Sequence, residues 1–225
     1  KKLILLAGPT ASGKSKLAIK LAKYFNGEII NADSMQIYKE FSVLSSRPSK
    51  SDIKKTKHHL YGFLSVKKYF STGEWLILAK KKIYQCIKKN KTPILVGGTG
   101  LYFNAITKGI SKIPQIDSKL RNSIRNLHNK IGQKNFYEKL ISIDPMSKNM
   151  ISATDTQRTL RAYEVKIFTN KSIYEWISNT KSDFLDFDIR KIFIDVPKYD
   201  LLRKIYLRTK SMFKKGCIEE VRNFL

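Results

Sequence analysis

Apolar residues along this chain fall into two kinds of run, and the two kinds alternate. Residues 3–7 form a short uninterrupted apolar run, which is typical of a strand buried on both faces of a sheet, and residues 28–32 predict a second short strand around Ile29 and Ile30. Residues 16–24 and 72–89 instead place apolar side chains every three or four positions, and this spacing predicts helices that pack by one face. Strands that alternate with helices predict an α/β fold with a parallel sheet.

Two further strands are predicted at residues 93–96 and 191–196, but the segment between them has a different character. Its pattern is helical throughout, with no strand-like apolar run. Asp117, Asp144 and Asp155 stand where helices are expected to begin, since a carboxylate there accepts hydrogen bonds from free backbone N–H groups. A helical block between strands of one sheet predicts an inserted domain.

The predicted domain organisation follows from this order of elements. Residues 1–112 and 188–225 form a discontinuous α/β core, and residues 113–187 form an all-helical insertion. The helical pattern at the end of the sequence has no cap, so we expect the chain to be C-terminally incomplete at Leu225.

The charge of the chain changes the expected class of partner. Lys and Arg total 44 against 18 acidic residues, a formal net charge of +26, while 42% of residues are hydrophobic, as in a globular protein. Such an excess favours a polyanionic partner, most often nucleic acid. The alternative is that part of the charge reflects codon bias, because the chain is rich in Lys, Ile and Asn.

The cysteines and the apolar runs indicate where the protein is located. Cys86 and Cys217 lie far apart and show no metal-ligand spacing, and no apolar run is long enough to span a membrane. We therefore expect a cytoplasmic protein without a membrane partner.

The strongest motif follows the first predicted strand and opens the first predicted helix. It has two glycines separated by four residues and followed by lysine and a hydroxyl, the pattern of a phosphate-binding loop. Backbone N–H groups and the helix dipole make such a loop an anion cradle, in which the lysine reaches the outer phosphate and the last serine holds a divalent metal, here Mg²⁺. The eight residues are Gly8, Pro9, Thr10, Ala11, Ser12, Gly13, Lys14 and Ser15.

The acid that a motor-type NTPase needs is missing after the strand 93–96, which ends in glycines. Asp195 lies within a continuing apolar run, and we interpret it as structural. The sequence therefore favours a small kinase or another transferase that uses a phosphorylated donor.

Asp33 follows the second strand, at the edge where parallel sheets bind their ligands, and we predict that it is a general base, with a helix cap as the alternative. Gln36 is either a reader of adenine or a turn residue.

One helix of the insertion is a candidate RNA contact. Gln157, Arg161 and Glu164 project from one side of the helix predicted after Asp155, and Gln and Arg suit base edges and phosphates. The alternative is a helix stabilised by an Arg161–Glu164 ion pair. The adjacent His58 and His59 are too short a group to predict a metal site.

Taken together, the motifs resemble the tRNA dimethylallyltransferases, also called tRNA isopentenyltransferases. The family order is kept from the phosphate loop through residues 33–38, 58–60 and 97–102 to Asp155, Thr156, Gln157 and Arg158. The resemblance implies transfer of a dimethylallyl group from its diphosphate to the exocyclic N6 of the adenine 3′ of the anticodon. It also implies a monomer with a phosphate-loop core, an inserted tRNA-binding domain and Mg²⁺ at Ser15. A C-terminal Lys-Arg-Gln type motif of the family is not found before Leu225.

The same resemblance assigns site residues. The catalytic residues are Asp33, Lys14 and Thr10. Arg208 joins the phosphate loop around the diphosphate, while Lys204 stands where arginine is more usual. The residues implied to contact tRNA are Asp33, Ser34, Met35, Gln36, Ile37, Thr99, Arg121, Gln157, Arg158, Thr159, Leu160 and Arg161. Three other functions stay open: prenylation of free adenine nucleotides, a small-metabolite kinase, and a basic RNA-binding module without activity.

Overall fold

The computed structural model describes residues 1–225 and divides into two compact units. The first comprises Lys1–Thr107 and Asp183–Leu225, and the second comprises Lys108–Ser182. The second unit therefore begins and ends five residues earlier than the 113–187 predicted from sequence. None of the helices is both long and apolar enough to cross a membrane.

A single parallel sheet of five strands organises the first unit. Its spatial order is β3-β2-β4-β1-β5, so β1 and β4 lie inside the sheet and are almost completely buried. The two-residue strand β3 has no apolar run, which is why the sequence pattern did not predict it. The strands are β1 Lys2–Ala7, β2 Gly27–Asn31, β3 His58–His59, β4 Thr92–Gly97 and β5 Asp188–Phe193.

Nine helices complete the chain, of which α5 is interrupted by a kink at Gly132 (φ 77°, ψ 164°), together with a short 3-10 turn at Pro145–Asn149. Six belong to the first unit and three, α5 to α7, to the second. They are α1 Lys14–Tyr24, α2 Lys50–Lys55, α3 Thr72–Lys88, α4 Gly100–Thr107, α5 Ser118–Ile143, α6 Thr156–Thr169, α7 Ile173–Ser178, α8 Lys198–Lys214 and α9 Cys217–Arg222.

Helix α3 anchors the sheet edge that carries chemistry. Ser71 and Glu74 form a capping box at its start, which satisfies backbone N–H groups there. Trp75 is completely buried, stacks on Tyr102 with ring centroids 4.0 Å apart, and donates its indole N–H to the Asn31 carbonyl at 3.0 Å. That bond fixes the last residue of β2, so the backbone that follows begins from a rigid point.

The helical unit has its own core around Phe136 and Tyr163. Asp117 and Asp155 cap α5 and α6 as predicted, because their carboxylates accept the N–H groups of Lys119 and Arg158. Asp144 stands at the N-cap position of the 3-10 turn Pro145–Asn149, but its side chain makes no capping bond to a backbone N–H there. Its buried carboxylate accepts the hydroxyls of two serines, Ser147 at 2.9 Å and Ser172 at 3.0 Å.

Candidate active site

The phosphate loop connects β1 to α1 through backbone conformations that few residues adopt. Gly13 precedes the helix with φ 92°, in the left-handed region where glycine is favoured, and Ala11 has φ 59°. A Cβ on Gly8 would lie 3.0 Å from the Ile194 carbonyl, so only glycine lets β1 leave the sheet this closely beside the end of β5. The loop therefore turns its backbone around a concave space at the helix N-terminus.

Two side chains of this loop are set for an anion. Lys14 folds back and donates to the carbonyls of Gly8 at 2.7 Å and Pro9 at 2.5 Å. Burial lowers its pKa, the Asp33 carboxylate acts in the opposite direction, and the Arg208 guanidinium lowers the pKa further. The Ser12 hydroxyl is buried without a hydrogen-bond partner, a cost that a bound phosphate oxygen would remove.

Asp33 is held by a buried amide and faces the phosphate loop. Asn31, completely buried, accepts the Asp33 N–H at 2.9 Å and donates to the carbonyls of Asp33 and Leu60. One carboxylate oxygen of Asp33 accepts the Met35 N–H at 2.9 Å. A Cβ on Gly98 would lie 3.8 Å from the Gly8 carbonyl and 4.0 Å from the other oxygen, Oδ2, so this small residue separates the carboxylate from the loop. No helix begins here, and Asp33 is therefore not a helix cap.

A cavity of about 730 Å³ joins these groups. Its lining includes most of the phosphate loop, Asp33 and Gln36. Arg208 and Lys204 of α8, which the resemblance placed near the diphosphate, line it as well. Sequence reasoning missed Tyr61 and Ser46. Burial raises the pKa of the Tyr61 hydroxyl, and the charge of Asp33 raises it further, so that the phenol stays neutral. The only sequence signal for Tyr61 was its position directly after the 58–60 motif.

The loop after Asp33 is tied down by its own polar side chains. The Gln36 amide donates to the carbonyls of Ser45 at 3.0 Å and Ser46 at 3.1 Å. The Thr99 hydroxyl accepts the Ser34 N–H at 2.9 Å. Met35 is exposed, whereas Ile37 is buried in the core, so the Ile37 side chain has no surface to offer to RNA.

Two of the three candidate arginines of the helical unit pair with one buried acid. Glu164, with only 5% of its side chain exposed, accepts Arg121 at 3.2 Å and Arg161 at 3.4 Å. The ion pair considered from sequence is thus present, and about a third of each arginine stays exposed. Arg158 is 74% exposed. Gln157 is exposed as well, Leu160 is half-buried and Thr159 is completely buried.

A second polar cluster lies away from the cavity, between β2, β3 and α3. The His59 Nε2 lies 2.6 Å from a Glu28 oxygen, and the Cys86 thiol donates to the same oxygen at 3.7 Å. The three ligand atoms lie within 4.8 Å of one another, the closeness that a metal ion requires. Burial raises the pKa of the Cys86 thiol to about 12, with the Glu28 carboxylate contributing, so the thiolate that a metal prefers is disfavoured. The contacts describe a hydrogen-bonded core cluster.

The glycines that follow β4 give a direct test of how Asp33 is placed. A Cβ on Gly97 would overlap the Ala32 carbonyl and lie 2.7 Å from the Asp33 N–H. We expect Gly97→Ala to displace this backbone and to lower the free energy of unfolding by about 1–3 kcal/mol, measured by chemical denaturation. Gly100→Ala is the matched control, since nothing lies within 4 Å of its Cβ. Equal stability of the two variants would contradict the close approach of β4 to Asp33.

Comparison with known proteins places this site in a family. The sequence profile described as IPP transferase matches residues 36–225. The chain is 54% identical over 224 residues to the tRNA dimethylallyltransferase of Pelagibacter ubique, covering 100% of this chain and 72% of that protein. It is 45% identical over 222 residues to the protein of the same name from Rickettsia massiliae, covering 98% of this chain and 61% of that protein.

Solved structures agree. A eukaryotic dimethylallyltransferase acting on tRNA superposes with a TM-score of 0.85 at 25% identity, over 100% of this chain and 56% of that chain. The tRNA isopentenylpyrophosphate transferase of Bacillus halodurans gives a TM-score of 0.64 at 29% identity, over 99% of this chain and 69% of that chain. The chain thus spans between 56% and 72% of the length of these four proteins.

Proposed function

The chain belongs to the tRNA dimethylallyltransferase family, and we propose that it transfers the dimethylallyl group of dimethylallyl diphosphate to the N6 amine of the adenine 3′ of the anticodon in tRNA. One observation carries this proposal. The Asp33 carboxylate and the phosphate loop line the same cavity, and Gly98 lies between them without a side chain to block the gap. An acceptor amine and an allylic diphosphate can therefore meet there.

The phosphate loop serves the leaving group in this reaction. The bond between the allylic carbon and the diphosphate oxygen breaks, and negative charge grows on that oxygen. Lys14, the Ser12 hydroxyl and the loop N–H groups are placed to receive this charge, with Thr10 and Arg208 on the same cavity wall. Groups that stabilise charge as it develops lower the barrier, and no phosphoryl group needs to be transferred.

The donors available for a metal are of the kind that Mg²⁺ prefers. Ser15 at the start of α1 and Asp33 both present oxygen atoms to the cavity, and no imidazole or thiol lines it. We propose that Ser15 holds Mg²⁺ beside the diphosphate, where the ion would neutralise part of the leaving group's charge. Lys14, Lys204 and Arg208 are among the protein's own cations that line the same cavity.

Asp33 acts on the other substrate. The N6 lone pair forms the new bond to the allylic carbon, and the proton that N6 loses passes to the free oxygen of the Asp33 carboxylate. The Asn31 side chain holds the Asp33 backbone, and the Met35 N–H occupies one carboxylate oxygen, which leaves the other oxygen for this proton. A negative carboxylate here also favours the positive charge that develops on the allylic carbon.

RNA recognition divides between a base and phosphates. An adenine must leave its stack to reach Asp33, which costs less in a single-stranded loop than in a duplex. We propose that Ser34, Met35 and Gln36 contact the extruded base, and that Thr99 acts by holding Ser34. In the helical unit we propose that Gln157 and Arg158, with Arg121 and Arg161, contact the tRNA. A net charge of +26 fits such a polyanion.

A direct assay tests the proposal. The protein is incubated with an anticodon stem-loop RNA, dimethylallyl diphosphate and Mg²⁺, and digested nucleosides are analysed by mass spectrometry. We expect dimethylallyladenosine, and we expect binding of the RNA to weaken steeply with salt. AMP as acceptor tests whether RNA is needed. No product with RNA, or equal rates with AMP and RNA, would contradict the proposed substrate. We further propose that the protein is a monomer, which a measurement of its mass in solution tests. We also propose that it is cytoplasmic.

A further inference from the structure

One segment next to the cavity, residues 41–47, is held by a side chain from the far end of the chain. We call it the 41–47 loop. It connects the Asp33 segment to α2, and it contacts the site through Ser46. The Ser46 hydroxyl accepts the Arg208 guanidinium at 2.9 Å, while its carbonyl accepts the Gln36 amide at 3.1 Å. Ser46 thereby links Arg208, which is proposed to lie beside the diphosphate, to Gln36, which is proposed to contact the extruded adenine.

The Glu220 carboxylate accepts hydrogen bonds from residues 42–44, near the start of this loop. It accepts the backbone N–H of Ser42 at 2.6 Å, that of Val43 at 2.9 Å and that of Leu44 at 2.9 Å. The Ser42 hydroxyl adds a fourth donor at 2.8 Å. Three successive N–H groups that converge on one carboxylate form an anion nest, and here the anion belongs to the protein itself.

The electrostatics agree with a charged clamp. Burial by itself would raise the pKa of Glu220, but the backbone hydrogen bonds from Leu44, Val43 and Ser42 outweigh it, and the pKa lies below its ordinary value. The carboxylate is therefore ionised at neutral pH, the state in which it accepts all four donors.

Helices α8 and α9 contact the same loop at two points. Arg208 extends from α8 to Ser46, and Glu220 extends from α9 to residues 42–44. Gly216, with φ 81°, makes the turn between the two helices. The ring of Phe224 packs edge-on against Phe41 with centroids 5.2 Å apart. A loop gripped at both ends has little freedom to move Ser46.

We propose that Glu220 is a positioning residue for the transfer reaction: by holding the 41–47 loop it sets Ser46, and through Ser46 it sets Arg208 and Gln36. This rests on the proposed function of the cavity. Glu220 lies outside the cavity lining and does not contact the reacting groups. Its effect is therefore on the alignment of the two substrates and not on a chemical step.

The test is Glu220→Gln in the intact protein, with Glu219→Gln as the matched control, because the neighbouring Glu219 is exposed and its side chain makes no such contacts. We expect Glu220→Gln to lower kcat at least about tenfold, as misalignment does, with RNA affinity changed less than about twofold. Amide hydrogen exchange of residues 42–46, measured without substrates, should accelerate in Glu220→Gln alone. Glu220→Asp, which keeps the charge, should recover part of kcat.

The outcomes separate this inference from the proposed function. Faster exchange with unchanged kcat would overturn the positioning role, and unchanged exchange would overturn the clamp itself. A thermal melt identifies global unfolding, in which case Ser42→Ala, which removes only one donor, gives a milder perturbation and must still accelerate exchange of the loop. Wild-type protein without transferase activity would overturn the proposed function, while the exchange experiment would still decide whether Glu220 holds the loop.

Discussion

Asp33→Asn should lower kcat by about 10²–10⁴-fold, the range that a positioned general base contributes. The amide is nearly the same shape as the carboxylate. It can still accept the Met35 N–H, so the turn after β2 should survive, but it cannot take the proton from N6. Single-turnover rates with a stem-loop RNA measure the loss, and RNA affinity should stay within about threefold because binding depends mainly on other contacts.

The control for this variant is Asp195→Asn. Asp195 also follows a strand of the sheet and is exposed, but it was interpreted from sequence as structural, and it does not line the cavity. We expect it to retain activity within about threefold, as surface substitutions away from the site usually do. An active Asp33→Asn variant, or an inactive Asp195→Asn variant with an intact fold, would remove Asp33 from the role of base.

Lys14→Met should lower kcat/KM for the allylic diphosphate by about 10²–10³-fold, the loss typical of removing one donor from a preorganised charge-stabilising site. The long apolar side chain of methionine fills similar space without the ammonium. Stability should not fall much, since burial already disfavours the charged form of Lys14 and lowers its pKa. The measurement is steady-state kinetics at varied donor concentration, together with direct binding of inorganic diphosphate in the presence of Mg²⁺.

Lys23→Met provides the comparison, because Lys23 is exposed in the last turn of the same helix. It removes the same charge from α1 at a distance from the cavity. If both variants lose donor binding equally, the effect of Lys14 is one of net charge and not of its position in the loop.

The parts of this molecule that sequence predicted are those encoded by local pattern. Four strands were predicted from short segments of sequence, although β5 begins and ends three residues before the predicted 191–196, and the phosphate loop was found because its glycines, lysine and serine lie close together in the chain. Asp33 was found because a strand end predicts a ligand-facing position. In each case the residues that determine the structure lie within a few positions of one another.

What sequence did not predict depends on residues far apart in the chain. Strand β3 exists because His58 and His59 pair with β2, which no two-residue pattern could indicate. The hydrogen bond from the Ser42 N–H to Glu220 joins residues 178 positions apart in the chain. Asp144 shows the same limit, since its partner Ser172 is the N-cap residue of α7, 28 positions further along the chain. From sequence Gln36 was either a reader of adenine or a turn residue; in the structure its NH₂ group donates to the Ser45 and Ser46 carbonyls, so only its amide oxygen remains for a base.

The folded-back Lys14 has a consequence for how tightly the donor is held. In the structure its ammonium already has the carbonyls of Gly8 and Pro9 as partners, so the proposed diphosphate would replace these bonds and would not simply add to them. Affinity is then a difference between two satisfied states, smaller than the number of contacts suggests. In the proposed reaction the same exchange would run in reverse: the lysine would return to its resting carbonyls as the diphosphate product departs, which would favour release of product over its retention.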